Sequence, residues 1–195
     1  LSYVIAKTAG DKTSNSVAAS TTTSTTMYLV VIGINQYKNT RYNLNYAVAD
    51  AKGFQEKINA GCGTLMKECK PFFIVNDQAT RENLVKTLQT IAGMATAKDL
   101  LVFYYAGHGV MNDAEKKEFY LVPYDVTQLY GNDAGLSAKG ISSSELLKLS
   151  TNIKAQKQLF ILDACQSAGA LQQVAMRGAA EEKAIAQLAR SSGTH

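Results

Sequence analysis

A chain of 195 residues, 46% hydrophobic and 18% charged, is long enough for one domain with a sizeable core and has the composition of a globular protein. Its net charge of +4 comes from 20 basic and 16 acidic residues scattered along the chain, with no Lys/Arg block of the kind that grips nucleic acid or an anionic membrane. No apolar run approaches the roughly 20 residues of a membrane-spanning helix, so neither nucleic acid nor membrane is an expected partner.

Leu1 to Ala6 have neither the charged start nor the apolar length of an export signal. With an odd number of cysteines, three, a disulfide framework is not expected, and a reducing, cytoplasmic compartment is the default. Cys62 and Cys69 have no second cysteine pair, and His108 and His195 are the two histidines, too few ligands for a zinc site. No metal is assigned.

In chain order, LSYVIAK at the start reads as one strand or the end of another domain. Residues 13–26 form a Ser/Thr/Ala tract without charge or large apolar side chains, which cannot bury enough surface to fix its backbone. Residues 1–26 are therefore read as a flexible Ser/Thr-rich linker or the end of an upstream domain, and 27–195 as the folded domain. The run YLVVIGI (28–34) is continuously apolar and rich in β-branched residues, as expected for a strand buried on both faces. Leu44, Ala47, Ala51, Phe54 and Ile58 then recur at helical steps of three and four.

PFFIV (71–75) is a second strand, and Thr80 is positioned to cap a helix bearing Leu84, Leu88 and Ile91. DLLVFYYAG (99–107) and QLFILDA (158–164) are further buried strands, with KEFYLVP (117–123) a shorter one between them. Ser142 and Glu145 have the spacing of a capping box ahead of Leu146 and Leu149, and a last helix is expected near 179–189. Apolar strands alternating with helices predict an α/β fold: a mostly parallel β-sheet flanked by helices on both faces.

Two of these strands run into unusual sequences, Ala106-Gly107-His108-Gly109 and Asp163-Ala164-Cys165-Gln166-Ser167. Ligands of an open α/β sheet collect outside the carboxyl ends of its strands, so His108 and Cys165 are expected at one rim. A thiolate attacks and an imidazole handles the proton; that pair is the core of cysteine-nucleophile catalysis. The glycines beside His108 permit a tight turn and let a backbone N–H approach a substrate carbonyl. The amides of Gly109 and Cys165 are thus candidates for an oxyanion hole. Taken singly, each residue has a plainer reading: a buried apolar cysteine, a structural histidine, a glycine turn.

The set IGINQY (32–37), LNYAVADA (44–51), VFYYAGHG (102–109), FYLVPYD (119–125) and LFILDACQSAG (159–169) resembles the caspase, metacaspase and orthocaspase family of cysteine peptidases over residues 27–195. Asp163 stands where true caspases carry Gln, and Ser167 with a delayed Gly169 follows the cysteine, departures that resemble the metacaspase and orthocaspase branch. The resemblance implies a Cys/His endopeptidase acting on protein or peptide substrates. The alternative is a catalytically silent caspase-like module serving as a scaffold or regulatory partner.

Asp163, two residues before Cys165, shares its strand face and is expected to border the pocket for the residue before the scissile bond. By resemblance Asp50 joins it from the first helix, and Ala106 borders the same pocket, contributing shape. Two recessed carboxylates favour Arg, through bidentate hydrogen bonds, and also Lys. The plainer reading leaves Asp50 to the helix dipole and Asp163 to a turn, and Tyr104 and Tyr105 to sheet packing.

The resemblance is to a large-subunit portion: family members continue into a small subunit, which is expected to be cleaved off, truncated or absent here. The missing small-subunit segment or a fused upstream domain is therefore an expected partner. Arg177, Lys183 and Arg190 fall where family members are often nicked, which makes them candidates for self-processing. Many metacaspases need calcium, but the acids Asp113, Asp125 and Asp133 follow no regular ligand spacing and read as loop residues. No cofactor is expected. No Gly-rich loop follows the first strand of the domain, which sets a nucleotide site aside.

Overall fold

The computed structural model describes residues 2–8, 25–112 and 118–164. Cys165, Asp113, the processing candidates Arg177, Lys183 and Arg190, and the helix expected at 179–189 lie outside the described residues. The elements are β1 (Ser2–Thr8), β2 (Thr26–Gly33), α1 (Ala47–Leu65), β3 (Glu68–Val75), α2 (Arg81–Met94), β4 (Leu100–Gly107), β5 (Gly109–Met111), β6 (Phe119–Leu121), α3 (Asp133–Lys139), β7 (Ile141–Ser142), α4 (Ser143–Thr151) and β8 (Lys157–Ala164).

The main sheet has the order β1-β8-β4-β2-β3. β3, β2, β4 and β8 run parallel, while β1 joins the outer edge of β8 antiparallel, with Ser2 opposite Asp163. This is the mostly parallel α/β sheet expected from the apolar runs. The first residues, read as a strand or the end of another domain, form an edge strand of this same sheet. At the opposite edge β3 carries Pro71, Glu68 and Lys70, residues that discourage a further strand from pairing there.

Residues on alternate sides of the central strands build two cores, as the period of two requires. Tyr28, Val30, Ile32, Leu101, Phe103, Tyr105, Phe160 and Leu162 pack on one face with Leu84, Leu88 and Ile91 of α2. Leu29, Val31, Val102, Tyr104 and Ala106 pack on the other with Ala47 and Ala51 of α1. Both helices have sequence-legible starts or stripes, and α2 is capped as expected, Asn83 N–H donating to Thr80 Oγ1 at 3.3 Å. The capping position of α4 is likewise filled: Glu145 N–H donates to Ser142 Oγ at 3.2 Å.

Three features differ from expectation. The strand at 117–123 shortens to β6 and joins β5 and β7 in a separate antiparallel sheet. The stretch between β5 and β6 is short enough for an antiparallel return, whereas parallel pairing needs a crossover of a dozen residues or more. A helix absent from the sequence reading, α3, is capped by Asn132, whose side chain accepts from Gly135 N–H at 2.9 Å. Finally, Cys62 and Cys69 are disulfide-bonded, with Cα atoms 6.2 Å apart. The short turn from the last coil of α1 into β3 folds the chain back and brings the two thiols together. An odd cysteine count did not exclude one pair and one remaining thiol.

Candidate active site

β4 ends on the segment that carries His108, and its backbone is held from below. His108 N–H donates to Tyr37 Oη at 2.8 Å. The hydroxyl of Tyr105 lies 2.8 Å from the carbonyl of His108 and 2.9 Å from that of Val122. The Val122 N–H closes the arrangement, 3.0 Å from His108 O and 3.2 Å from Tyr105 Oη. Burial, reinforced by Tyr37, pushes the Tyr105 hydroxyl well above the ordinary tyrosine pKa, so it works as a neutral donor and acceptor.

The imidazole is 1% exposed as a residue and is fixed by its own bond. Nε2 is 2.7 Å from the carbonyl oxygen of Tyr42. A carbonyl accepts only, so Nε2 carries a proton, and in the neutral ring the basic nitrogen is Nδ1. The Tyr37 ring packs at 5.0 Å from the imidazole, and the Tyr42 ring meets it edge-on at 6.2 Å.

Gly107 and Gly109 contribute space rather than an unusual turn, since Gly131 is the one described glycine with positive φ. A Cβ on Gly107 would lie 2.8 Å from Tyr105 Oη and 2.9 Å from Tyr37 Oη. One on Gly109 would run into the Phe119 ring and lie 2.9 Å from Ala164 Cβ. The tight-turn argument for these glycines is thereby replaced by one of close approach.

The loop that delivers Tyr37 and Tyr42 is stapled by asparagines. Asn76 Oδ1 accepts from Asn35 N–H and Gln36 N–H at 3.0 and 3.1 Å, and Asn43 Oδ1 accepts from Tyr37 N–H at 2.9 Å. Tyr46, the residue ahead of α1, offers no side-chain cap. Asn35 supplies one from a distance, accepting from Val48 N–H at 3.1 Å. The same residues thus orient the histidine loop and begin the helix that bears Asp50.

Between that helix start and the ends of β4 and β8 lies a hollow of about 220 Å³ lined by Leu44, Tyr46, Asp50, Ala106, Gly107 and Asp163, together with Asn43, Asn45 and Ala47. Its lining contains two carboxylates and no Lys or Arg. It is smaller than the roughly 300–1,000 Å³ of drug-sized ligand sites and of a size for one side chain. The register explains the convergence: Ala106 is opposite Asp163, and Gly107 opposite Ala164. Asp163 lies on the sheet face that α1 covers, as do Tyr104 and Ala106.

The structure therefore brings Asp50, Ala106 and Asp163 to one hollow, with Gly107, His108 and Gly109 on the segment beside it. Asp125 and Asp133 are elsewhere: Asp125 pairs with Lys139 at 3.0 Å, and Asp133 occupies the first turn of α3. Among the described residues no cluster of His, Cys, Asp and Glu is arranged to hold a metal ion. A larger depression of about 560 Å³ by the start of α2 has Arg81, Lys86, Asp125 and Lys139 in its wall. Arg81 is engaged bidentately with Glu145, both contacts at 2.6 Å, and this depression contains neither His nor Cys, so size alone does not make it the site.

Sequence reasoning missed the hydroxyls. Tyr104 and Tyr105 do pack in the sheet, Tyr104 stacking on Phe54 of α1 with centroids 4.3 Å apart, but each also directs its hydroxyl at a candidate site residue. Tyr37 and the Tyr42 carbonyl carried no signal beyond the position of their loop after β2.

The family model described as Caspase domain, for peptidases of family C14, matches residues 26–193. Among solved structures, protein GSU0716 from Geobacter sulfurreducens is similar with a TM-score of 0.55 and 16% sequence identity, over 78% of this chain and 55% of that one. That likeness speaks for the fold, and the chain spans little more than half of that relative's length. No curated protein matches. No helix among the described residues is long and apolar enough to cross a membrane.

Proposed function

The chain belongs to the caspase-domain family of peptidases, and from that premise we propose that it is a cysteine endopeptidase cleaving after Arg or Lys, with Cys165 as nucleophile and His108 as acid and base. The observation that carries this reading is the pairing of Ala106 with Asp163 and Gly107 with Ala164 at the rim of an acid-lined hollow. His108 and Cys165 are each the next residue along the chain, and one peptide step spans about 3.8 Å.

In this reading a basic side chain enters the hollow and its charge meets Asp50 and Asp163, Arg making the better bidentate contacts. The Cys165 proton passes to His108 Nδ1, the nitrogen left basic by the Nε2 bond to Tyr42 O. The thiolate adds to the scissile carbonyl while the Gly109 and Cys165 amides receive the oxyanion. The imidazolium returns its proton to the leaving amine, and water then hydrolyses the thioester with the same histidine as base. A rate left unchanged by a calcium chelator would support the reading of Asp113, Asp125 and Asp133 as loop residues rather than ion ligands.

The departures at Asp163 and Ser167 favour the metacaspase and orthocaspase branch over true caspases, whose pocket selects Asp. Arg177, Lys183 and Arg190 are consistent targets of self-processing under the same specificity, and a small-subunit segment completes the cleft. The test is a set of fluorogenic peptides ending in Arg, Lys or Asp, run on this chain and on Cys165→Ala. Hydrolysis after Arg and Lys that vanishes in Cys165→Ala is expected; faster hydrolysis after Asp would overturn the specificity, and hydrolysis surviving in Cys165→Ala would overturn the nucleophile.

A further inference from the structure

The segment bearing His108 is gripped at its N–H by the Tyr37 hydroxyl and at its carbonyl by the Tyr105 hydroxyl together with the Val122 N–H. Tyr37, from the loop after β2, accepts the N–H at 2.8 Å. Tyr105, from β4, lies 2.8 Å from the carbonyl. Both hydroxyls occupy the space beside Gly107, where a Cβ would stand within 3 Å of each. Tyr37 also lays its ring against the imidazole at 5.0 Å.

We propose that Tyr37 and Tyr105 are positioning residues of the candidate catalytic histidine: their hydroxyls clamp the His108 backbone so that the imidazole keeps its Nε2 bond to the Tyr42 carbonyl and presents Nδ1 to the nucleophile. The inference rests on the peptidase reading, because it gives the clamp its purpose. The chemistry needs the clamp for two reasons. The His108 N–H is in a buried environment, where a donor without an acceptor is costly enough to move the segment in search of one. The segment has little side-chain anchorage of its own, since glycine flanks the histidine on each side. A shift of about 1 Å in a reacting group is enough to cost on the order of 100-fold in rate. A fold held only by its apolar core would not need hydroxyls here, and Phe would fill the same space.

Tyr37→Phe removes one oxygen and keeps the ring. Its kcat on Arg and Lys peptides is expected to fall about tenfold, with KM unchanged because the hollow is untouched. The deciding readout is the pH dependence of Cys165 alkylation by iodoacetamide, followed by mass spectrometry on the peptide that contains Cys165. In the wild type the reaction is expected to set in below the free-thiol value of about 8.5; His108→Ala returns it to that value, and Tyr37→Phe moves it part of the way.

A Tyr37→Phe profile identical to wild type, while His108→Ala shifts it, would overturn the clamp and leave the peptidase reading standing. A wild-type profile already identical to that of His108→Ala would sink the thiol–imidazole pair itself. Should Tyr37→Phe fail to fold, Tyr105→Phe decides by the same profile: a partial shift supports the clamp and an unshifted one overturns it.

Discussion

The Tyr104 hydroxyl lies 3.4 Å from Oδ2 of Asp163, across the β4–β8 pair and on the face covered by α1. Its ring is stacked on Phe54, one helical turn beyond Asp50, so one aromatic pair braces both walls of the acid-lined hollow. At that length the hydrogen bond is weak, and Tyr104→Phe is expected to cost under about 1 kcal/mol of stability. Its effect belongs in specificity: freed of its neighbour's hydroxyl, the Asp163 carboxylate is less well aimed. KM for Arg peptides should rise a few-fold while kcat holds, and an unchanged KM would remove Tyr104 from the pocket. Phe54→Ala, by contrast, takes away the stack, worth about 0.5–1.5 kcal/mol beyond the area it buries, and should lower thermal stability as well.

Thiol counting tests the cysteine pairing. The chain has three cysteines, of which Cys62 and Cys69 are bonded across a separation of 7. Folded, unreduced protein should therefore titrate one thiol, and reduced, unfolded protein three. Closing so short a loop constrains the unfolded chain by about 2.5 kcal/mol, or roughly 5–10 °C in Tm for a domain of this size. Cys62→Ser/Cys69→Ser should show that loss. The proposed peptidase activity should be retained at low temperature, because the bond joins the far end of α1 to the start of β3, away from the hollow. Three reactive thiols in folded, unreduced protein would contradict the bond.

How much of this was legible in the residues depended on whether the signal was local. The runs 28–34, 100–107 and 159–162 announce buried strands because no charged or amide side chain interrupts them, and the parallel sheet follows. Asp50 reaches the hollow because it sits in the first turn of α1, the end nearest the strand termini. The clamp around His108 is different in kind. A tyrosine inside an apolar run, such as Tyr105, reads as a sheet residue, and only the three-dimensional neighbourhood shows that its hydroxyl meets a backbone carbonyl. The asparagine staples fail to announce themselves for the same reason: Asn76 is distant in sequence from the Asn35 and Gln36 amides it accepts from. The cysteine pair was hidden by an argument from parity, which says nothing about two residues joined by a tight return of the chain.

Asp99 gives the fold a predictable response to acid. It precedes β4 and accepts from Thr26 N–H at 2.9 Å, Thr96 N–H at 2.7 Å and Thr96 Oγ1 at 2.9 Å. Burial alone would raise its pKa, but the hydrogen bonds from Thr96 and Thr26 outweigh it and hold the carboxyl below its ordinary value. A depressed folded pKa means stability that is complete above the unfolded value of about 3.9 and is lost as pH falls through the folded one. Asp99→Asn puts a donor against donors and should destabilise by about 1–3 kcal/mol at neutral pH. The gap from wild type should narrow as pH drops below about 4. Thermal melts at pH 7 and pH 3 check this, and a gap that stays constant would show that Asp99 acts through shape, not charge.

Gly33, the last residue of β2, sets how closely α1 can approach the sheet. A Cβ there would stand 2.8 Å from the Ala47 carbonyl, 2.8 Å from Ala51 Cβ and 2.9 Å from Val48 Cα. Two of those three neighbours are helix backbone, so the helix must move outward as a unit. Gly33→Ala is expected to cost about 1–3 kcal/mol by overpacking. Because Asp50 lies on that first turn, the displacement also widens the hollow: under the proposed specificity KM for Arg peptides should rise, as in Asp50→Asn, and the proposed preference for Arg over Lys should weaken because bidentate contact tolerates displacement poorly. Adding Ala51→Gly removes one of the three clashes and should recover part of the stability but little of the specificity, since the Ala47 carbonyl still blocks the helix. Stability and KM that recover together in the double variant would show that Ala51, and not the helix backbone, sets the spacing.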